Sequence, residues 1–128
     1  MDVVLRFEKL VSIEEWVREG ERVIDLFSRK PGFQSAKVGL ALDDDSTGFL
    51  LLSFDSVGSY RRALSAYDIK LEATTFLSAA RDESSAFEII LDITNGKKTR
   101  FQSEKTASIE EVSLGESATA RAHSRLEQ

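Results

Sequence analysis

Apolar positions along this chain switch between two periods, and the order of the switches predicts the order of the elements. Val3, Leu5 and Phe7 alternate with Val4, Arg6 and Glu8, the period of a strand whose second face is only partly apolar. Ser12 followed by Glu15 is a capping box, in which hydroxyl and carboxylate each satisfy an orphan backbone N–H at a helix start. Ile13, Trp16, Val17, Gly20, Val23, Ile24 and Phe27 then share one stripe at spacings of three and four, and Pro31-Gly32 ends the helix. Ala36, Val38, Leu40 and Leu42 alternate as a second strand, and Phe49 to Phe54 is a nearly continuous apolar third. Asp55 or Ser56 caps a second helical region, with Val57, Tyr60, Leu64 and Tyr67 on one stripe. Asp68 restarts it through Ile69, Ala73, Phe76, Leu77 and Ala80, and Phe87, Ile89, Leu91 and Ile93 alternate as strand four.

The resulting order, β-α-β-β-α-β, predicts an α+β protein of the ferredoxin-like class, one antiparallel sheet with helices on one face. Asn95-Gly96 is a type I′ hairpin signal, because both central residues need positive φ. The chain thus divides into a domain over residues 1–96 and an extension over 97–128, with a short strand at 97–103 followed by a polar tail. A strand apolar on both faces, as Phe49 to Phe54 is, needs cover on both. Helices cover one face, and a second copy is the simplest cover for the other, so a homodimer is expected.

Composition narrows the function classes. The chain has 128 residues, 41% of them hydrophobic and 30% charged, which fits one folded domain and argues against wholesale disorder. With no Cys, disulfides, thiolate nucleophiles and Cys-ligated zinc are excluded. The net charge is −5, and residues 97–128 hold six Lys/Arg against five Asp/Glu, so the acidity sits in the part before them. An acidic body without a basic stripe disfavours nucleic acid and anionic membrane surfaces. The N-terminus lacks the basic start and apolar run of a signal peptide, which predicts a cytoplasmic protein. Contiguous Asp43-Asp44-Asp45 reads as a solvated turn rather than a calcium loop, whose acids alternate. His123 has no partner at ligand spacing, so no metal is expected.

Two short motifs carry a resemblance. Pro31-Gly32-Phe33 lies between the first helix and second strand, and Phe54-Asp55-Ser56 followed by Tyr60 lies between the third strand and second helix. On these, the segment from Val3 to Ile93 resembles the antibiotic biosynthesis monooxygenase family. The resemblance implies a dimeric α+β barrel of two ferredoxin-like protomers and, in some members, oxidation of polycyclic phenols by molecular oxygen with no cofactor. This chain has Phe54 where such oxygenases typically carry Trp, Leu50 where they can carry Asn, and Thr74 near the place of an Arg. Tyr60 is the aromatic that matches, and it is the catalytic candidate. Haem-degrading relatives use a His on the second helix; the sole His here is His123, which disfavours that activity.

A ligand pocket is expected between sheet and helices, lined by Trp16, Phe54, Tyr60, Tyr67 and Phe76. The ordinary reading of Trp16 is core, and that of the tyrosines is a packed ring with an exposed hydroxyl. Arg6, mid-strand on the outer face, is expected to form a structural ion pair with Asp92. Two functions stay open: a cofactor-independent monooxygenase acting on a small aromatic or hydrophobic molecule, and a noncatalytic ligand-binding or assembly protein of the same fold.

Overall fold

A computed structural model describes residues 1–103. The expected His123 and polar tail lie outside the described residues. Met1–Glu88 forms one compact unit, and a second begins at Ile89.

In the first unit, β1 (Asp2–Phe7), α1 (Ile13–Ser28), β2 (Phe33–Leu40) and β3 (Gly48–Phe54) follow the predicted order. The second helical region is three pieces, α2 (Val57–Ser65), α3 (Tyr67–Glu72) and α4 (Thr74–Ser78), before a short β4 (Ala86–Phe87). The sheet order is β2-β3-β1-β4, with antiparallel neighbours. This is the α+β, antiparallel ferredoxin-like arrangement that the alternating pattern predicts.

Alternation decides which side chains are inside. Val3, Leu5 and Phe7 of β1 and Leu50, Leu52 and Phe54 of β3 are buried under the helices. Each such side chain contributes about 1.5–3 kcal/mol relative to full exposure. From α1 they meet Trp16, Val23, Leu26 and Phe27. Leu26 is buried although the predicted stripe omitted it, while Val17, predicted on that stripe, is 37% exposed. Ser12 Oγ accepts the Glu15 N–H at 3.3 Å, so the cap stands where the sequence put it. Beyond α1, Gly32 takes φ +89°, and a Cβ there would lie 2.5 Å from both Asp55 and Ser59. Only glycine fits that turn without displacing the cap of α2. Lys30 Nζ reaches Asp68 at 2.6 Å and ties the end of α1 to α3.

The acidic loop between β2 and β3 is a polar turn, as expected. One Asp44 carboxylate accepts bonds from the Ser46 N–H, the Ser46 hydroxyl and the Thr47 hydroxyl at 2.7–2.9 Å. These bonds hold its carboxyl below the usual range.

Strand four departs from expectation. Residues 87 to 93 do not form one strand: Ala86 and Phe87 pair with Val3 and Asp2, and a separate strand β5 (Leu91–Thr94) forms a hairpin with β6 (Lys97–Arg100). Antiparallel β4 runs toward the start of β1, with Phe87 opposite Asp2. Met1 continues the register of β1 on β3: its ammonium donates to the Phe54 carbonyl at 2.9 Å and its carbonyl accepts the Phe54 N–H at 3.0 Å. The hairpin turn itself is as predicted, with Asn95 at φ 50° and Gly96 at φ 77°.

Gly48 is a close point of the core, where a Cβ would sit 2.5 Å from the Trp16 ring and 3.0 Å from the Gly39 carbonyl oxygen. Gly48→Ala is expected to cost about 1–3 kcal/mol in urea unfolding. Gly58→Ala, whose methyl meets nothing nearer than 3.4 Å in a helix, should instead stabilise by about 0.5–1 kcal/mol. Equal stability of the two variants would contradict this packing.

Candidate functional site

A ring cluster links the core to the candidate tyrosine. Phe54, fully buried, is flanked by Phe27 at 6.1 Å, Phe33 at 5.7 Å and Tyr60 at 5.5 Å between ring centroids. The first two contacts are edge-on, the favoured geometry for aromatic quadrupoles. Ser56 starts α2 by accepting the Ser59 N–H at 3.1 Å. That cap fixes the phase of the helix, so Tyr60, four residues after Ser56, leans over the end of β3.

Tyr60 and Leu64 of α2 line two adjacent hollows beneath the helices. One, of about 300 Å³, is closed by Met1, Val57, Ala86 and Phe87, with Arg61 and Glu88 at its rim. The other, of about 370 Å³, is bounded by Leu5, Ile69, Thr74, Leu77 and Ser85. Together they form a mostly apolar cleft between the β1–β4 edge of the sheet and the helices α2 to α4. Each is at the lower end of the size that takes a small organic ligand. Burial pushes the Tyr60 phenol above its usual value of 10.0, since a phenolate would lack solvation there. A phenol is already protonated at neutral pH, and burial keeps this one so to higher pH, so Tyr60 is a hydroxyl donor there and not a base. Thr74, near the place where the resemblance put an Arg, faces the same cleft, and its hydroxyl donates to the Lys70 carbonyl at 2.7 Å.

The other expected pocket residues are distributed differently. Trp16 is 8% exposed and meets Phe7 edge-on at 5.4 Å. Its buried indole Nε1 has no hydrogen-bond partner among the described residues. Phe76 packs on Phe7 at 4.9 Å. Both are core contacts, like Phe54.

Tyr67, expected in the pocket, is 78% exposed. The expectation continued one stripe from Tyr60 through Leu64 to Tyr67, but the helix breaks between them. Ala66 is extended at φ −66°, ψ 142°, which resets the phase so that Ile69 turns inward, 2% exposed, and Tyr67 turns out.

Arg6, expected to pair with Asp92, has a partner within its own unit. Arg6 instead grips Glu83 through two bonds, Nε to Oε2 and Nη2 to Oε1, both 2.8 Å, while Asp92 accepts the Thr94 hydroxyl at 2.9 Å. The reason is backbone placement. Arg81 N–H donates to the Arg6 carbonyl at 2.8 Å and Val4 N–H to the Ser85 carbonyl at 2.7 Å, laying residues 81–85 along β1 with Glu83 beside the guanidinium. No local pattern in the sequence marks this stretch as a partner of β1. Among the described residues, no group of three or more His, Asp or Glu is placed to hold a metal. No described helix is long and apolar enough to cross a membrane.

The fold and the cleft define a ferredoxin-like α+β protein with a small apolar site under its helices. No family model matches the chain, and no curated protein matches it. Among solved structures it is similar to SnoaB, a cofactor-independent oxygenase from Streptomyces nogalater, at TM-score 0.55 and 21% identity over 80% of this chain and 91% of that one. A point mutant of SnoaB gives TM-score 0.57 at 19% identity over the same shares. A conserved protein from Methanosarcina mazei Go1 is similar at TM-score 0.52 and 16% identity, over 66% of this chain and 84% of that chain. The likeness to the monooxygenase family seen in the sequence is thus met at the level of fold, which SnoaB shares.

The neutral state of Tyr60 is measurable. A spectrophotometric titration should show one tyrosine with its midpoint above 10, absent in Tyr60→Phe. Because burial favours the neutral phenol, this group's contribution to stability is fully present below pH 10 and is lost as pH rises through the folded value. A Tyr60→Phe protein that loses the same stability at high pH would contradict the assignment.

Proposed function

We propose that this chain is a cofactor-independent oxygenase acting on a small aromatic or hydrophobic molecule with an acidic hydroxyl of its own. The observation that carries this reading is Tyr60, a half-buried phenol in the wall of an apolar cleft, in a fold shared with an oxygenase of that class. Conversion of a substrate CH₂ to a carbonyl, with the second oxygen atom leaving as water, draws all four electrons from the substrate. A substrate of this kind becomes a reductant once its hydroxyl ionises. The Tyr60 hydroxyl would donate a hydrogen bond to the resulting oxyanion, and Leu5, Leu64, Ile69 and Leu77 would exclude water from it.

A second reading, a noncatalytic binding protein, is favoured by one observation. Thr74 spends its hydroxyl on the Lys70 carbonyl, so α4 offers no cation to face Tyr60. Oxygen uptake with a panel of small phenols separates the two. If the first reading holds, Tyr60→Phe should lower turnover about 10–100-fold, the size of one lost hydrogen bond to a charge. Binding without oxygen uptake across the panel would favour the second reading.

Both readings include a homodimer. The sheet face away from the helices carries Val4, Phe49 and Leu51, each half-buried, and Phe87, 45% exposed, and a second copy would cover it. Native mass spectrometry should find two subunits, and Leu51→Lys should yield one. A wild-type protein with one subunit would overturn this part.

A further inference from the structure

Tyr60 and Leu64 stand four residues apart on α2 and so share one side of that helix. Both border each of the two hollows under the helices, and among the described residues no other does. On the facing wall the boundary falls between neighbours in sequence, Ser85 in one hollow and Ala86 in the other. The hollows are therefore contiguous, and the ridge formed by Tyr60 and Leu64 separates them. Both flanks of the passage are fixed. The Ser85 carbonyl accepts the Val4 N–H at 2.7 Å and Ala86 pairs with Val3, while α2 is held by the Ser56 cap and the Tyr60 ring lies 5.5 Å from that of Phe54. Leu64 is half-buried in the last turn of α2, which closes as the Ala66 N–H donates to the Ala63 carbonyl at 3.1 Å. The ridge lies on the helix side of the sheet, away from the face a second copy would cover. At about 300 and 370 Å³ each hollow stands at the bottom of the range for organic ligands, and joined they would fall well inside it.

We propose that Leu64 sets the size of the molecule the cleft admits. Its side chain confines a ligand to one hollow, which takes an aromatic of one or two fused rings, and blocks the passage that a larger fused-ring system needs. The assignment rests on the oxygenase reading for the cleft being the substrate site, and it narrows the substrate to a phenol of one or two rings. Tyr60 forms the other half of the ridge, but its hydroxyl serves the chemistry, so size selection is separable only at Leu64.

Fluorescence anisotropy of naphthol and of hydroxypyrene, titrated into the full-length protein under nitrogen, reads the size limit without turnover. Leu64→Ala should tighten hydroxypyrene binding about fivefold to a hundredfold, the range for relieving an overpacked contact. It should loosen naphthol binding about fourfold, the loss of one methylene of contact. Leu64→Val should move both affinities in the same directions by less, and carries the test if the Ala variant does not fold. Leu77→Ala enlarges one hollow without joining it to the other, and should leave hydroxypyrene affinity within about twofold of the wild type. Hydroxypyrene bound equally by wild type and both Leu64 variants, or tightened as much by Leu77→Ala, overturns the divider. Oxygen uptake is read separately. A protein with the expected binding pattern and no uptake loses the oxygenase reading and keeps the divider; one that oxidises phenols but binds hydroxypyrene equally with and without the Leu64 side chain does the reverse.

Discussion

The register of β1 on β3 is the constraint on which the rest of the molecule depends. Leu5 stands opposite Leu50, and Val3 opposite Leu52, so the apolar sets of both strands face the helices together. A slip of one residue would send Arg6 and Val4 inward and expose Val3, Leu5 and Phe7. The same register places Asp2 and Val3 where β4 can reach them and brings Met1 onto Phe54. Phe54, anchored at the end of β3, then supplies the surface on which Tyr60 rests. Tyr60's burial, and with it the upward push on its phenol, follows from strand pairing set some distance away.

A consequence is that the cleft is made from sequence-distant pieces with unequal security. Its floor, Leu5 and Ile69, belongs to the packed interior, and α2 is fixed by the Ser56 cap. Its side, residues 81–87, is held by few main-chain bonds and a surface ion pair. Stability differs across the site for a physical reason: the floor is held by burial, the side by electrostatics that water and salt weaken. Small-molecule sites commonly combine a rigid floor with a less stable wall, and here the difference can be traced to single residues.

The chain by itself determined what depends on near neighbours. The Ser12 cap, the Pro31-Gly32 stop, the Asp44 turn, the Asn95-Gly96 hairpin and the alternation of β1 and β3 were legible because each is decided by a few adjacent residues. They sufficed for the element order and hence the sheet. Tyr60 was legible as a candidate because the phase of α2 is set by the Ser56 cap four residues earlier. Tertiary structure alone decided the rest. Tyr67 points outward because the backbone at Ala66 leaves the helix, and strand four is two strands, Ala86–Phe87 beside β1 and Leu91–Thr94 in a hairpin of its own. Arg6 pairs with Glu83 because hydrogen bonds to Arg6 and Val4 lay the 81–85 segment along the sheet edge. Periodicity reports which side of an element is apolar; which partner it meets depends on chain closure over long separations.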